Sequence, residues 1–331
     1  MKRKSGSNWQ NARLGFKRKN KVRLALFVLG AILLTLLAGN TLRLVNKLFA
    51  PLGSSFEKKD YHWDGKSNLN LVYKNKENIS LFIVNSGEKK ITGLEIPSNT
   101  FMDIPGGFGS WELRSIYDLG GEDKSKGSKL VKNSISLFFS LPIDGFLESE
   151  EYEAAEIFTG LNKNPFTFLY WIGRINSDLT PVELIRLYVF VLQVRVDKVE
   201  IFDLKELNLL KKTSLHDGGS VYLANDSLDS FVGENLYDSN IKTEQKTIAI
   251  FNGTNTPGLA QKFARLINNM GGNVIISDNT GEKYEYSIVY GEESATKKRL
   301  SQIFNSKYAI LSNKPASRAQ ITIILGEDLA Q

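Results

Sequence analysis

The sequence predicts a single N-terminal transmembrane helix, then an α/β domain in which helices cover a sheet, then a small α+β domain of βαββαβ order. Three observations predict it. Residues 24–42 read LALFVLGAILLTLLAGNTL without a charge, Thr180-Pro181-Val182-Glu183 opens an apolar helix among strand-like runs, and the region after residue 244 alternates strands and helices in that order.

A helix of roughly 20 apolar residues spans the hydrocarbon of a bilayer, and only a helix satisfies its own backbone polar groups there. Nine Lys and Arg precede the run with no Asp or Glu among them, which keeps the N-terminus cytoplasmic. A cleaved signal has a shorter apolar region and a small-x-small site, and Ala38-Gly39-Asn40 matches that site poorly. The expectation is a basic cytoplasmic tail over 1–23, an uncleaved transmembrane helix over 24–44, and a stalk over 45–66. The lipid bilayer is thus the first expected partner, and the protein is expected in the plasma membrane with all that follows on the outer side.

The net charge of +6 belongs to the tail: taking its nine cations from the 42 basic residues leaves 33 against 36 acidic ones. No basic block able to release phosphate counterions remains, which argues against nucleic acid as a partner. Without cysteine there is no disulfide, thiol nucleophile or cysteine metal site, and His62 and His216 are far apart in sequence. No metal or cofactor is expected.

Residues 67–212 are expected to form the first domain. NLNLVY and ISLFIV within 68–84 alternate apolar and polar residues as strands do, and 91–96 continues the pattern up to Pro97. Val131, Ile135, Phe138 and Phe139 fall at helical spacing over 127–139. Residues 149–160 read as an acidic helix whose Glu148, Glu150, Glu151, Glu153 and Glu156 make a solvated face. Thr180 to Glu183 is a capping box with proline at the first helical position. The helix over 181–195 that it opens carries a continuous apolar stripe and is expected to be buried. Residues 199–202 read as a strand.

Residues 213–244 lose periodicity and collect Gly, Asn, Asp and Ser, as linkers do. The last domain, 245–331, begins with a strand over 247–251 and a Gly/Asn/Thr turn. Thr256 is placed to cap the next helix with Pro257 at its first position. Leu259, Phe263, Leu266, Ile267 and Met270 share one helical stripe, and Gly271-Gly272 stops it. Strands over 273–276, 286–290 and 321–325 and a helix over 294–304 complete an order expected to fold as a ferredoxin-like, split βαβ unit.

The segments IAIFNGTNTPGLAQKFARLINNMGGNVIISDN and ITIILGEDLA resemble the C-terminal domain of the LytR-CpsA-Psr cell-envelope proteins at Asn252, Gly253, Thr254, Gly258, Leu259, Ala260, Gly326 and Asp328. Asn252, Gly253, Thr254 and Gly258 are candidate binding residues, because an exposed turn beside a helix N-terminus can hold an anion or a sugar hydroxyl. A purely structural turn is the preferred reading of the same residues.

The preceding domain is similar to the catalytic domain of that family at Ile96, Pro97, Ile104, Pro105, Tyr117, Gly120, Gly121, Ile143 and Asp144. The resemblance implies transfer of a glycopolymer from a polyprenyl pyrophosphate to peptidoglycan, with arginines on the pyrophosphate and carboxylates on magnesium. Where the family has Pro-Arg-Asp this chain has Pro97-Ser98-Asn99, and where it has Arg-x-Asp the chain has Lys76-Glu77-Asn78. A lysine cannot supply an arginine's bidentate fork. The expectation is therefore a degenerate domain with no catalytic residues, serving binding or assembly at the cell wall. Peptidoglycan, a cell-wall glycopolymer or another envelope protein would be its partner. The alternative is a phosphotransferase acting through Lys76, Arg114, Asp118 and Arg174.

Overall fold

The computed structural model describes residues 48–53, 56, 61–76, 78–151, 158, 165–215, 218–306, 315 and 317–330. The expected tail 1–23 and membrane helix 24–44, most of the acidic segment 149–160, and His216 lie outside them. Among the described residues no helix is long and apolar enough to cross a membrane. Residues from Pro51 onward form one compact unit.

The strands expected within 68–96 are β1 (Leu69–Asn75), β2 (Asn78–Asn85) and β3 (Lys90–Ile96), an antiparallel meander. A hairpin of β4 (Phe101–Ile104) and β5 (Gly109–Glu112) follows, then a one-turn helix α1 (Leu113–Ile116) and a 3-10 turn over Tyr117–Gly120. Helix α2 (Lys124–Phe139) is opened by Asp123, whose carboxylate accepts from the amides of Ser125 and Lys126, and it buries Val131, Ile135 and Phe139 as their spacing requires. Strand β6 (Gly145–Glu148) then runs parallel to β1. Glu148 therefore ends a strand and is buried, which corrects its placement on a solvated helix face.

Helix α3 (Pro165–Ile172), the short strand β7 (Asn176–Ser177) and helix α4 (Pro181–Val191) follow. The Thr180 hydroxyl accepts from the Glu183 amide and the Glu183 carboxylate accepts from the Thr180 amide, so the capping box is present. The expectation of a wholly buried helix over 181–195 is corrected: the helix ends at Val191, with Leu184, Leu187 and Val191 buried and Ile185, Val189 and Leu192 exposed. An apolar stripe on each of two faces looks continuous in sequence, yet only one face meets the sheet.

Strand β8 (Val199–Asp203) pairs parallel with β3 and completes a six-stranded sheet of order β7-β6-β1-β2-β3-β8. Because side chains alternate along a strand, the sheet feeds two cores. Val72, Leu81, Ile83, Leu94 and Ile96 pack under α2. Leu69, Leu71, Tyr73, Phe82, Val84 and Ile91 pack under α3 and α4.

The segment 213–244, expected as a linker, is folded. It holds the end of the hairpin β9 (Leu210–Ser214) and β10 (Ser220–Ala224), then helices α5 (Leu228–Asn235) and α6 (Ser239–Glu244). Leu228, Val232, Leu236 and Ile241 are buried in the same cluster as α2 and the C-terminal sheet. Two short helices that each bury one or two apolar residues give too little periodicity to stand out of a polar background.

The C-terminal elements are β11 (Thr247–Asn252), α7 (Leu259–Asn269), β12 (Asn273–Asn279), β13 (Ile288–Gly291), α8 (Ala295–Ile303) and β14 (Ile321–Leu325), in the expected βαββαβ order. The sheet order is β12-β11-β14-β13, with β11 parallel to both β12 and β14. This corrects the ferredoxin-like topology. In a split βαβ unit another strand lies between the two that a helix connects, whereas here α7 joins β11 to its adjacent parallel partner β12.

Candidate functional site

The resemblance to a catalytic domain directs attention to the end of β3. Beyond it lies a cleft of about 210 Å³ lined by Tyr73, Asn75, Glu95, Ser98, Asp203 and Lys205 among others. Glu95 and Asp203 are register partners across β3 and β8, so the cleft lining carries two carboxylates and one ammonium, that of Lys205. Ser98 and Asn99 are engaged in structure: the Ser98 carbonyl accepts from the Arg114 amide at 2.9 Å, and the Asn99 side chain donates to the Ser220 carbonyl at 2.7 Å. The Tyr222 amide returns a bond to the Asn99 carbonyl at 3.2 Å, so this stretch fastens the β9–β10 hairpin to the sheet.

A second polar cluster, absent from the candidates that the sequence offers, centres on Glu148. Its carboxylate accepts from Lys74 at 3.5 Å, Lys124 at 3.4 Å, Tyr117 at 3.3 Å and Asn176 at 3.1 Å. Lys74 also lies 4.7 Å above the Tyr117 ring, which stacks on Phe146. Burial pushes Glu148 up, but the Asn176 amide and the Lys124 and Lys74 charges outweigh it and hold the carboxyl below its ordinary value. Burial and the Glu148 charge push the Tyr117 hydroxyl well up. A carboxylate so occupied is a weak base. Sequence reasoning missed the cluster because its members come from β1, the 3-10 turn, α2, β6 and β7.

The four residues of the phosphotransferase reading are engaged separately. Lys76 is exposed at the β1–β2 turn, in the left-handed region at φ 48°. Arg114 pairs with Glu112 at 2.5 Å. Asp118 sits in the 3-10 turn, where its carbonyl accepts from Gly121. Arg174 pairs with Glu151 at 2.5 Å and lies 3.8 Å over the Tyr170 ring. None of the four lines the cleft. Among the described residues no group of three or more His, Asp or Glu is placed to hold a metal ion.

The turn after β11 is closed by its own hydrogen bonds. Asn252 is buried, donates to the Thr256 carbonyl at 2.9 Å, and accepts from the Thr254 amide at 3.1 Å and hydroxyl at 2.7 Å. Gly253 lies so near Tyr284 and the Leu325 carbonyl that a Cβ would sit 2.7 and 2.8 Å from them. Helix α7 is capped by Gly258 at φ 75°, not by Thr256 as expected, because Asn252 holds Thr256 within the turn. Across the sheet, Asp328 accepts from the Ser287 amide and hydroxyl, and Ser287 accepts from the Gly326 amide at 3.0 Å.

A groove of about 860 Å³ lies where α2, α7, α8 and the approach to β6 meet, with Tyr61, Lys132, Asn133, Phe263, Arg299 and Gln302 in its wall. Three of its cations are paired: Lys132 with Asp178 at 2.5 Å, Lys298 with Asp64 at 2.6 Å, and Arg299 with Asp144 at 2.8 Å. The buried Gln302 Oε1 has no hydrogen-bond partner. The wall thus offers aromatic faces and polar groups, with most of its cations held in ion pairs.

The turn, its glycines and the Gly326 to Asp328 staple together hold the ends of β11 and β14. Residues 245–329 match the LytR_C family model, described as LytR cell envelope-related transcriptional attenuator. This LytR C-terminal unit thus resembles the C-terminal domain of the LytR-CpsA-Psr cell-envelope proteins. No curated protein matches the chain. Similar solved structures include B. subtilis TagT (13% identity, 55% of this chain and 95% of that one, TM-score 0.38). A transcriptional regulator from Enterococcus faecalis is another (10%, 62% and 88%, TM-score 0.39). TagT with bound octaprenyl pyrophosphate lipid is a third (14%, 64% and 95%, TM-score 0.38). Within the LytR C-terminal unit the matched motif residues Asn252, Gly253, Gly326 and Asp328 all serve the frame.

Proposed function

We propose that the chain is a membrane-anchored, extracytoplasmic cell-envelope protein that binds or assembles at the cell wall without catalysing glycopolymer transfer. The observation that carries this reading is the cleft beyond β3. Stabilising a departing pyrophosphate needs positive charge where negative charge develops, and this cleft has two carboxylates against Lys205, with Asn99 committed to the β9–β10 hairpin. The anchor rests on the apolar run 24–42 behind its basic tail. The envelope assignment is supported by the LytR C-terminal unit.

The groove beside Asn133 is the place for a wall glycan or a polyprenyl-linked glycopolymer, since concave sites of roughly 300–1,000 Å³ with a few convergent polar groups suit such ligands. Full-length protein in nanodiscs, incubated with a polyprenyl pyrophosphate and magnesium, is expected to release no phosphate. Metal-dependent release would establish the phosphotransferase instead. The same preparation is expected to capture peptidoglycan fragments, and Asn133→Trp, an exposed position on the groove wall, to lose most of that capture; equal capture by the variant would remove the groove from the reading.

A further inference from the structure

Helix α4 has a second apolar face that the fold leaves open. An exposed apolar stripe runs along it: Ile185 (47% exposed) and Val189 (47%) share one face of the helix, Leu192 (48%) continues that face at the C-cap, and Val196 (75%) follows in the 3-10 turn beyond the helix end. Arg186 of the helix and Gln193, Arg195 and Lys198 just beyond its end are exposed beside the stripe, Arg195 paired with the exposed Asp197 at 3.0 Å. Phe168 of α3 stacks on Tyr188 at 4.1 Å, and α3 in turn exposes Tyr170.

The position of this face along the chain names its occupant. The chain enters the folded unit at residues 51–53, where the Leu52 and Gly53 amides donate to the carbonyls of Leu179 and Ser177 at 2.9 Å. Those carbonyls immediately precede Thr180, the N-cap of α4. The apolar run ends at Leu42, and the nine residues from there to Pro51 reach at most about 30 Å. Helix α4 itself is only about 16 Å long at 1.5 Å per residue. A bilayer holding the run therefore lies within reach of the whole stripe. An apolar helix face with a basic rim is what settles into the interface of a membrane bearing anionic lipid.

We propose that α4 and the turn after it lie on the bilayer surface through Ile185, Val189, Leu192 and Val196, giving the protein a second membrane contact beside its anchor. The contact would orient the envelope unit instead of letting it swing on its stalk. This inference rests on the anchored reading above.

The chain has no cysteine, so single labels are unambiguous. An environment-sensitive fluorophore would be placed at Val189→Cys, Leu192→Cys, Lys262→Cys on the exposed face of α7, and Leu33→Cys in the apolar run. Each full-length variant would be reconstituted in vesicles of phosphatidylcholine and phosphatidylglycerol. Expected are blue-shifted emission, several-fold brighter than at position 262, for positions 189 and 192, with quenching by lipid-borne but not aqueous quenchers and a weaker signal without phosphatidylglycerol. Aqueous behaviour at 189 and 192 with lipid behaviour at 33 overturns this inference alone. Aqueous behaviour at 33 as well overturns the anchor with it. Protection from both quenchers that disappears on dilution into more vesicles would assign the face to a protein contact and overturn the membrane.

Discussion

Arg299 and Asp144 meet in a bidentate ion pair, Nη1 to Oδ1 at 2.9 Å and Nη2 to Oδ2 at 2.8 Å, with Arg299 only 2% exposed. The pair joins α8 of the LytR C-terminal unit to the chain entering β6, where Asp144 also accepts from the Asn70 amide. Burial works against the guanidinium charge, but Asp144 and Asp238 outweigh it and raise its pKa further. A coupling through one buried fork makes the C-terminal unit part of the same folding unit.

Removing Arg299 would leave Asp144 and Asp238 buried without their cation, at a cost of about 3–5 kcal/mol. Arg299→Ala should lower the denaturant midpoint accordingly, followed by near-UV circular dichroism of the solubilised chain. Arg299→Lys should recover only a minor part, because an ammonium cannot serve both oxygens of Asp144 in the fork geometry. Full stability in Arg299→Lys would show that charge alone suffices.

Glu148 gives a pH signature. Its folded pKa is depressed, so the unfolded chain binds the proton more readily, and the carboxylate's contribution is present above the ordinary value of about 4.3 and lost as pH falls through the folded value. Glu148→Gln should cost roughly 1–3 kcal/mol at neutral pH, as the loss of charge-assisted hydrogen bonds does. The gap between wild type and variant in thermal midpoint should close as the pH is taken well below 4. A gap constant with pH would mean that shape, not charge, matters at this position.

The Thr180 to Glu183 box was legible in sequence because capping is local, and the strand runs of 68–96 were legible because apolar and polar residues alternate along them at the strand period. The other role of Glu183 was not: its carboxylate also accepts from the Trp63 amide at 2.8 Å, across 120 positions of chain. Arg299 follows Lys297 and Lys298 and reads as a solvated basic face, since nothing local marks the one residue of the three that turns inward. Asp144 was visible as a motif position, but not as the partner of Arg299. The βαββαβ order was legible, whereas the pairing of β11 with β12 was not, because element order leaves strand neighbours open. The candidates Asn252 and Gly253 were found as a motif, and the hydrogen bonds that occupy Asn252 became visible only in three dimensions.

The glycines of the LytR C-terminal unit separate close approach from backbone freedom. A Cβ on Gly326 would sit 2.4 Å from the Tyr286 carbonyl carbon and 2.8 Å from the Ser287 nitrogen, and backbone cannot swing aside. At Gly258 a Cβ meets nothing within 4 Å, but φ is 75°. Gly258→Ala should therefore cost about 1 kcal/mol from the left-handed conformation. Gly326→Ala should cost several times as much or prevent folding of the strand end. Comparable thermal midpoints for the two variants would contradict the packing at Gly326.

Asn252 tests whether the turn is frame or binding site. Its side chain satisfies Thr254 and Thr256 from a buried position, so Asn252→Ala strands those groups at a cost of about 1–3 kcal/mol. Asn252→Asp keeps the acceptor for Thr254 but sets a carboxylate against the Thr256 carbonyl, and should be destabilised to a similar degree. Capture of peptidoglycan fragments, measured well below the variants' unfolding temperatures, should then match wild type, because the loss is in the frame and Asn133 lies elsewhere. A variant as stable as wild type that no longer captures fragments would make Asn252 a ligand contact and move recognition from the groove to this turn.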